Sequence, residues 1–357
     1  MRALPWATVP HRARDFHSGR GPVLSVLSGP APAALAWCAL ALVSSAPLLR
    51  AQDRERERTW SGPPILALIT STRAMGLGGA FWTGGNADHA VFHHPALISG
   101  QGFDLSLAGI YTRDGDGDRD RDPDDAIHLT LSAGGTWLGG NVAVGLAVFD
   151  YGVDIDVERE RGRGDGGGSR AVAAGAASWG ATEFVGTVGY SRNLFGFGVG
   201  AAGKVIGWTA GGARARTAAV DVGVSRTLWQ LRMGLTVQNL GPDLEIRGRD
   251  VPLSRRVVLG AGTQRRVPVG PLDIGGAVQV AREYGGDIVP GGGVEVAYWP
   301  VVRRVFIARI GVVRVLEGAG APLTFGAGFE GDRVRLDYGY RDRGPMTGPH
   351  QIGISIR

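Results

Sequence analysis

The stretch RVRLDYGYR, residues 333–341, decides how the chain is read. Val334, Leu336, Tyr338 and Tyr340 fall on one face of an extended backbone, and Arg333, Arg335, Asp337 and Arg341 fall on the other. A period of two with one apolar and one polar face describes a strand between two different environments. HQIGISIR (350–357) repeats the pattern, with Ile352, Ile354 and Ile356 opposite Gln351, Ser355 and Arg357. So do FDLSLAGIY (103–111), IHLTLSA (127–133) and LTFGAGF (323–329). Elsewhere, as in FGFGVGAAGKVIGW (195–208), the second face is mostly Gly, Ala and Ser.

About 14 such segments follow Gly100, an even number as in bacterial outer-membrane barrels. The connections sort by parity. RDGDGDRDRDPDD follows the first strand, ERERGRGDGGGSR the third, TAGGARAR the fifth and GPDLEIRGRDVPLS the seventh. Tighter connections, LGGN, RNLFG, TLWQLR and RRVPVGP, follow the even strands. Long loops on one side and short turns on the other are what a membrane barrel imposes, whereas a soluble β protein has no reason to sort them. Trp137, Trp229 and Trp299 fall by even turns, where an aromatic girdle would meet one interface. The expected fold class is therefore all-β: a transmembrane antiparallel β-barrel of about 14 strands over residues 101–357, closed so that no strand edge is left unpaired in lipid.

Composition agrees. Glycine is the outlier at 60 residues, and 38 Lys and Arg nearly balance 33 Asp and Glu, giving a net charge of +5. Without a basic helix or an aromatic–basic motif, that charge belongs to solvated loops and implies no nucleic-acid partner. Residues 1–51 read as a long N-terminal extension and signal peptide: Arg12, Arg14 and Arg20 precede the apolar AALAWCALALV, and cleavage falls between Ala51 and Gln52. Cys38, the only cysteine, lies within it, so the exported chain has no disulfide.

Residues 52–100 form a linker and a compact plug. STRAMGLGGAFWTGGNADHAVFHHPALISG (71–100) is too rich in glycine to be a lipid-facing strand, and its backbone groups need partners inside the barrel. GLGGAF permits close approach and positive φ. Asn86 could cap a short helix through ADHAVFHH, and Pro95 breaks the chain.

This stretch resembles the amino-terminal part of the PorV/PorQ family and, more distantly, the FadL-type long-chain fatty-acid transporters. Gly76, Gly78, Gly79 and Ala80 match the family's glycine run, while Phe92, Pro95 and Ala96 match its hatch. VQNLGPDLEIRG (237–248) and the ending LDYGYRDRGPMTGPHQIGISIR also resemble that family. His94 stands where the hatch has asparagine, Leu97 directly follows Pro-Ala, and the chain ends in Arg357 where such barrels commonly carry an aromatic. The resemblance implies a channel in the outer membrane taking up hydrophobic or amphipathic small molecules past a hatch. The alternative it carries is a PorV-like scaffold or shuttle for type IX protein secretion. Its implied partners are outer-membrane lipids, a hydrophobic ligand, the barrel-assembly machinery and secretion-system components.

Two metal sites are readable. His89 and His93 are four apart, share one helical face and could bind zinc with Asp88; hydrogen bonding to lumen residues is the other reading. Asp114, Asp116 and Asp118 alternate as in a calcium loop, but Arg119 takes the place of the turn glycine, which favours a solvated acidic loop. Outside the plug the exported chain has only His128 and His350, with no GxSxG and no HExxH, so no enzyme activity and no resident cofactor are expected.

Overall fold

A computed structural model describes residues 62–81, 89–98, 102–112, 126–155, 179–315, 321–341 and 346–356. Alternating side chains leave each segment one apolar and one small or polar face, and the strands pair as consecutive antiparallel hairpins. They are β1 (Gly102–Thr112), β2 (Ala126–Trp137), β3 (Gly140–Ile155), β4 (Trp179–Leu194), β5 (Phe197–Ala210), β6 (Ala213–Leu228) and β7 (Leu231–Leu240). After a small hairpin, β8 (Leu244–Ile246) with β9 (Arg249–Val251), come β10 (Arg256–Thr263) and the short β11 (Val267–Val269). The remainder are β12 (Leu272–Glu283), β13 (Ile288–Val301), β14 (Arg304–Val313), β15 (Leu323–Glu330), β16 (Val334–Arg341) and β17 (Met346–Ile356).

Strands β1–β7, β10 and β12–β17 form one ring of fourteen. First and last strands meet with Phe103 opposite Ile356 and Leu107 opposite Ile352, and β10 pairs β12 with Val258 opposite Ala281. The barrel is closed, and its faces invert the arrangement of a soluble protein. Leu107, Val188, Val222, Leu259, Phe306 and Ile354 are exposed on the outside, while Ser106, Glu183, Asp221, Glu295, Arg309 and Gln351 are buried inside. That is the wall of a barrel whose solvent is hydrocarbon. Among the described residues no helix is long and apolar enough to cross a membrane.

The outer face of β6 measures the belt. Arg216 and Arg226 bracket Ala218, Val220, Val222 and Val224. Ten residues at about 3.3 Å each, tilted by roughly 40°, span about 25 Å, the height of an outer-membrane apolar band. At the turn end, exposed apolar side chains continue past the strands: Leu138, Phe195, Trp229 and Val302 sit at hairpin tips, Phe195 at 99 % and Trp229 at 92 % exposure. Leu138, Phe195 and Trp229 hold left-handed backbone to do so. Such a ring suits the membrane–water interface, where Trp is favoured.

The parity of the connections needs two corrections. TAGGARAR is no loop: β5 and β6 run on to a two-residue turn at Gly211 and Gly212, with φ of +54° and +78°. Two consecutive positive φ values make the hairpin turn that suits strand twist, and glycine supplies both without strain. Arg214 and Arg216 are thus strand residues on the outer face. Conversely, RRVPVGP is not a tight turn, because β11 folds back on β12 with Val267 opposite Ile274.

Candidate functional site: the lumen and the segment within it

The polar inner face is occupied along much of its height by chain that precedes β1. In residues 62–81 a 3₁₀ turn (Pro64–Leu66) and a one-turn helix α1 (Thr72–Met75) pack on the wall; Ser71 caps α1 by accepting a hydrogen bond from Ala74 N at 3.3 Å. In residues 89–98 follow α2 (Ala90–His93) and a second 3₁₀ turn (Pro95–Leu97). His94 is extended, as the residue before a proline tends to be. Of the helix expected from Asn86, the described part is Ala90–His93 with His89 at its N-cap, and Asn86 lies outside the described residues.

Small wall residues make room for this segment. A Cβ on Gly200 would meet the Pro95 carbonyl carbon at 2.5 Å, and one on Gly223 would meet His94 at 2.8 Å. Gly145 lies against the Phe92 ring and Gly326 against Gly76. The glycine and alanine faces read from the sequence are therefore, along these strands, close packing about the segment. Gly78, at φ +65°, passes so near Val312 and Gly292 that any side chain would strike backbone. The amide of Gly78 donates to Thr324 Oγ1 at 3.0 Å.

Polar contacts join the segment to three sectors of wall. On β1, β2 and β17, the Thr70 carbonyl accepts from Ser106 Oγ (2.8 Å), Gln351 Nε2 (3.1 Å) and Thr130 Oγ1 (3.2 Å). Thr70 Oγ1 also lies 2.6 Å from His93 Nε2, tying the two parts of the segment together. On β4–β7, Ser191 Oγ donates to Ile98 O (2.7 Å), Ser225 Oγ to Ala96 O (3.4 Å), and Gln238 Nε2 to His93 O. Lys204 pairs with Asp221 at 2.7 Å, bonds Asn239 at 2.9 Å and reaches Phe92 O.

The third sector is a charged network on β13–β16. Glu295 is fully buried and pairs with Arg73 of α1 (2.5 Å), Arg266 (3.0 Å) and Arg309 (3.2 Å). Arg309 also reaches Asp337 (2.8 Å), Arg335 pairs with Asp337 (2.6 Å) and Glu330 (3.2 Å), and Arg266 meets Glu330 (3.3 Å). The wall alone supplies three cations and three carboxylates; Arg73 is a fourth cation brought by the segment. Burial, opposed by Glu295 and reinforced by Arg335, Arg309 and Arg266, pulls the Arg73 guanidinium down to about 10. Burial likewise lowers all three histidines, His94 to about 4 and His93 well below its ordinary value.

Towards the loop end the lumen is apolar. Ile65, Phe149, Ile206, Leu244 and Leu253 belong to one buried cluster, with Phe81, Tyr151 and Trp208 against it. Glu183 accepts from Ile65 N (2.8 Å) and Tyr151 Oη (2.6 Å). Leu244 and Val251 arrive there on the β8–β9 hairpin, which places the GPDLEIRGRDVPLS connection over the lumen.

The sequence-derived residues Gly76, Gly78, Gly79, Phe92, His94, Pro95 and Ala96 all lie in this segment, most of them buried. His93 is engaged with Thr70, and among the described residues no three His, Cys, Asp or Glu side chains gather as a metal site. Asp88, Asp114, Asp116, Asp118 and residues 1–51, read above as a signal peptide, lie outside the described residues. Arg73, Thr70 and Glu295 escaped the sequence reading. A lone arginine in an otherwise uncharged run (62–81) was the available signal for the first.

No family model matches the chain, and no curated protein matches it. Solved structures do. A TodX deltaS2S3 mutant monoaromatic hydrocarbon channel aligns at a TM-score of 0.50 and 12 % identity, over 80 % of this chain and 97 % of that one. The toluene transporter TbuX of Ralstonia pickettii gives 0.48 and 12 %, over 84 % and 99 %; a FadL homologue of Pseudomonas aeruginosa gives 0.45 and 11 %, over 80 % and 95 %. The PorV/PorQ resemblance rests on motifs alone. What the chain shares with the first of these structures is its fold, a closed antiparallel barrel nearly covering the other's whole length.

Proposed function

We propose that this protein is an outer-membrane channel for hydrophobic or amphipathic small molecules, with residues 62–98 as its hatch. The observation that supports this reading is a lumen lined by polar groups that bind a piece of the same chain. That piece is held by noncovalent contacts to wall side chains, so it can leave without breaking a strand pair. Cargo enters the apolar loop-end cluster around Ile65 and Phe149, and movement of the Gly76–Pro95 stretch, together with α1 before it, opens the way on. The first of the similar structures is a monoaromatic hydrocarbon channel, which agrees with such cargo.

The test is a tether. A Cβ on Gly353 would lie 3.2 Å from Thr72 Cβ, close to the spacing a disulfide requires. Thr72→Cys with Gly353→Cys, oxidised, pins α1 to β17. In proteoliposomes, uptake of a hydrophobic fluorescent probe should stop on oxidation and return on reduction. Uptake that continues through the locked protein removes the hatch. The other reading, a PorV-like scaffold for protein secretion, predicts that neither state takes up the probe.

A further inference from the structure

At the turn end, beneath residues Ala96 to Ile98, the lumen holds a cavity of about 240 Å³. Its lining includes Arg192, Arg232, Asn141, Asn193, Ser225 and Thr227, and no carboxylate among the described residues. Arg232 is the informative member. Alternation along β7 points it inward, with Thr236 and Gln238, and leaves it half-buried. Its Nε donates to Thr227 Oγ1 at 3.5 Å, and it makes no ion pair among the described residues. Arg266, Arg309 and Arg335, the inward arginines of β10–β16 in the lower lumen, each have a carboxylate within 3.3 Å, whereas neither Arg232 nor Arg192, the other cation of the lining, has one among the described residues. The roof offers no neutralising group: Ser191 and Ser225 already occupy the carbonyls of Ile98 and Ala96. A guanidinium left without a counter-charge in a recess of amides and hydroxyls is a site arranged for an oxyanion, which a planar fork binds through two parallel hydrogen bonds.

We propose that this recess binds carboxylates, and that Arg232 receives the charged head of an amphipathic anion once it has passed the hatch. The part about cargo rests on the transport reading above; the anion site does not. A binding step here separates anionic from neutral cargo, because only the former pairs with Arg232.

The experiment compares benzoate with benzyl alcohol, alike in ring and different in charge, by calorimetry on the full-length protein in nanodiscs. Inorganic phosphate serves as a free anion. Benzoate should bind, and Arg232→Gln should weaken it about tenfold, as loss of one charge-assisted contact does. Arg232→Lys, which keeps the charge but not the fork, should fall between. Arg226→Gln, on the outer face, should bind benzoate as the native protein does. Unchanged benzoate affinity in Arg232→Gln, or equal Arg232 dependence for benzyl alcohol, overturns the proposal. Phosphate binding as tightly as benzoate overturns the cargo assignment, leaving a site for free anions. Failure of probe uptake together with Arg232-dependent benzoate binding would instead count against transport and keep the site.

Discussion

Replacing Arg73 with methionine should fasten the segment more tightly, although it deletes an ion pair. The guanidinium makes two hydrogen bonds to Glu295, Nη2 to Oε1 at 2.5 Å and Nε to Oε2 at 3.2 Å. Against them stand burial and three neighbouring arginines, and the balance lowers its pKa from 12.5 to about 10. At about 1.4 kcal/mol per unit, the charge is roughly 3 kcal/mol less favourable docked than in water. Methionine keeps the aliphatic volume and removes that charge. Glu295 retains Arg266 and Arg309, so the wall stays neutral and no carboxylate is stranded. Removing one partner of a buried pair usually costs about 3–5 kcal/mol because a charge is stranded, and here the two remaining guanidiniums prevent that. Hydrogen exchange over residues 71–79, where Met75 N bonds Ser71 O and Gly79 N bonds Ala74 O, reads the effect. Arg73→Met should slow it about tenfold, the worth of some 1.4 kcal/mol, with β5 and β6 unchanged. Faster exchange in the variant would refute the reasoning. Glu295→Gln has the opposite sign: it strips the shared anion from three buried guanidiniums, costs about 3–5 kcal/mol and lowers the thermal transition of the whole barrel.

Acid should loosen the same segment. His89, His93 and His94 are held neutral by burial, so their contribution is complete above about pH 6.5, the free-imidazole value, and is lost as pH falls towards the value of about 4 for His94. Limited proteolysis should cut within 89–98 faster at pH 5 than at pH 7.5; equal rates by a protease equally active at both would sink this. Gly200→Ala places a methyl 2.5 Å from Pro95 backbone and should cost about 1–3 kcal/mol of segment docking, whereas Gly203→Ala faces open space and should cost almost nothing. Exchange over residues 91–98 distinguishes them, and identical profiles would remove the close-packing account.

Much of the barrel was legible in the sequence because its two solvents write a two-residue period onto each strand, as at Val334 to Arg341. Strand number followed from that period and from turn composition. The errors share a cause: charge was taken as a loop signal. Arg214 and Arg216 belong to β6, since a strand leaving the apolar band can carry arginine into the headgroup layer without ending. Val267 to Val269 look like a turn because they are few, yet pairing with β12 makes them a strand. Within the lumen, the glycine run and Pro95 located the segment, since backbone approach leaves its mark on residue type. The contacts holding it did not show, because Arg73 and Glu295 are 222 residues apart and meet only through the curvature of the wall.

The Thr70 carbonyl sits where the ring is joined. Ser106 stands on the first strand and Gln351 on the last, their own side chains 2.9 Å apart, and both donate to that one oxygen from a sequence 36 and 281 residues away. The seam thus has its full set of bonds only when residue 70 lies inside the ring. A barrel with that stretch outside would keep the backbone ladder between β1 and β17 but lose these inner stitches, which makes the join the place where such a ring would first open.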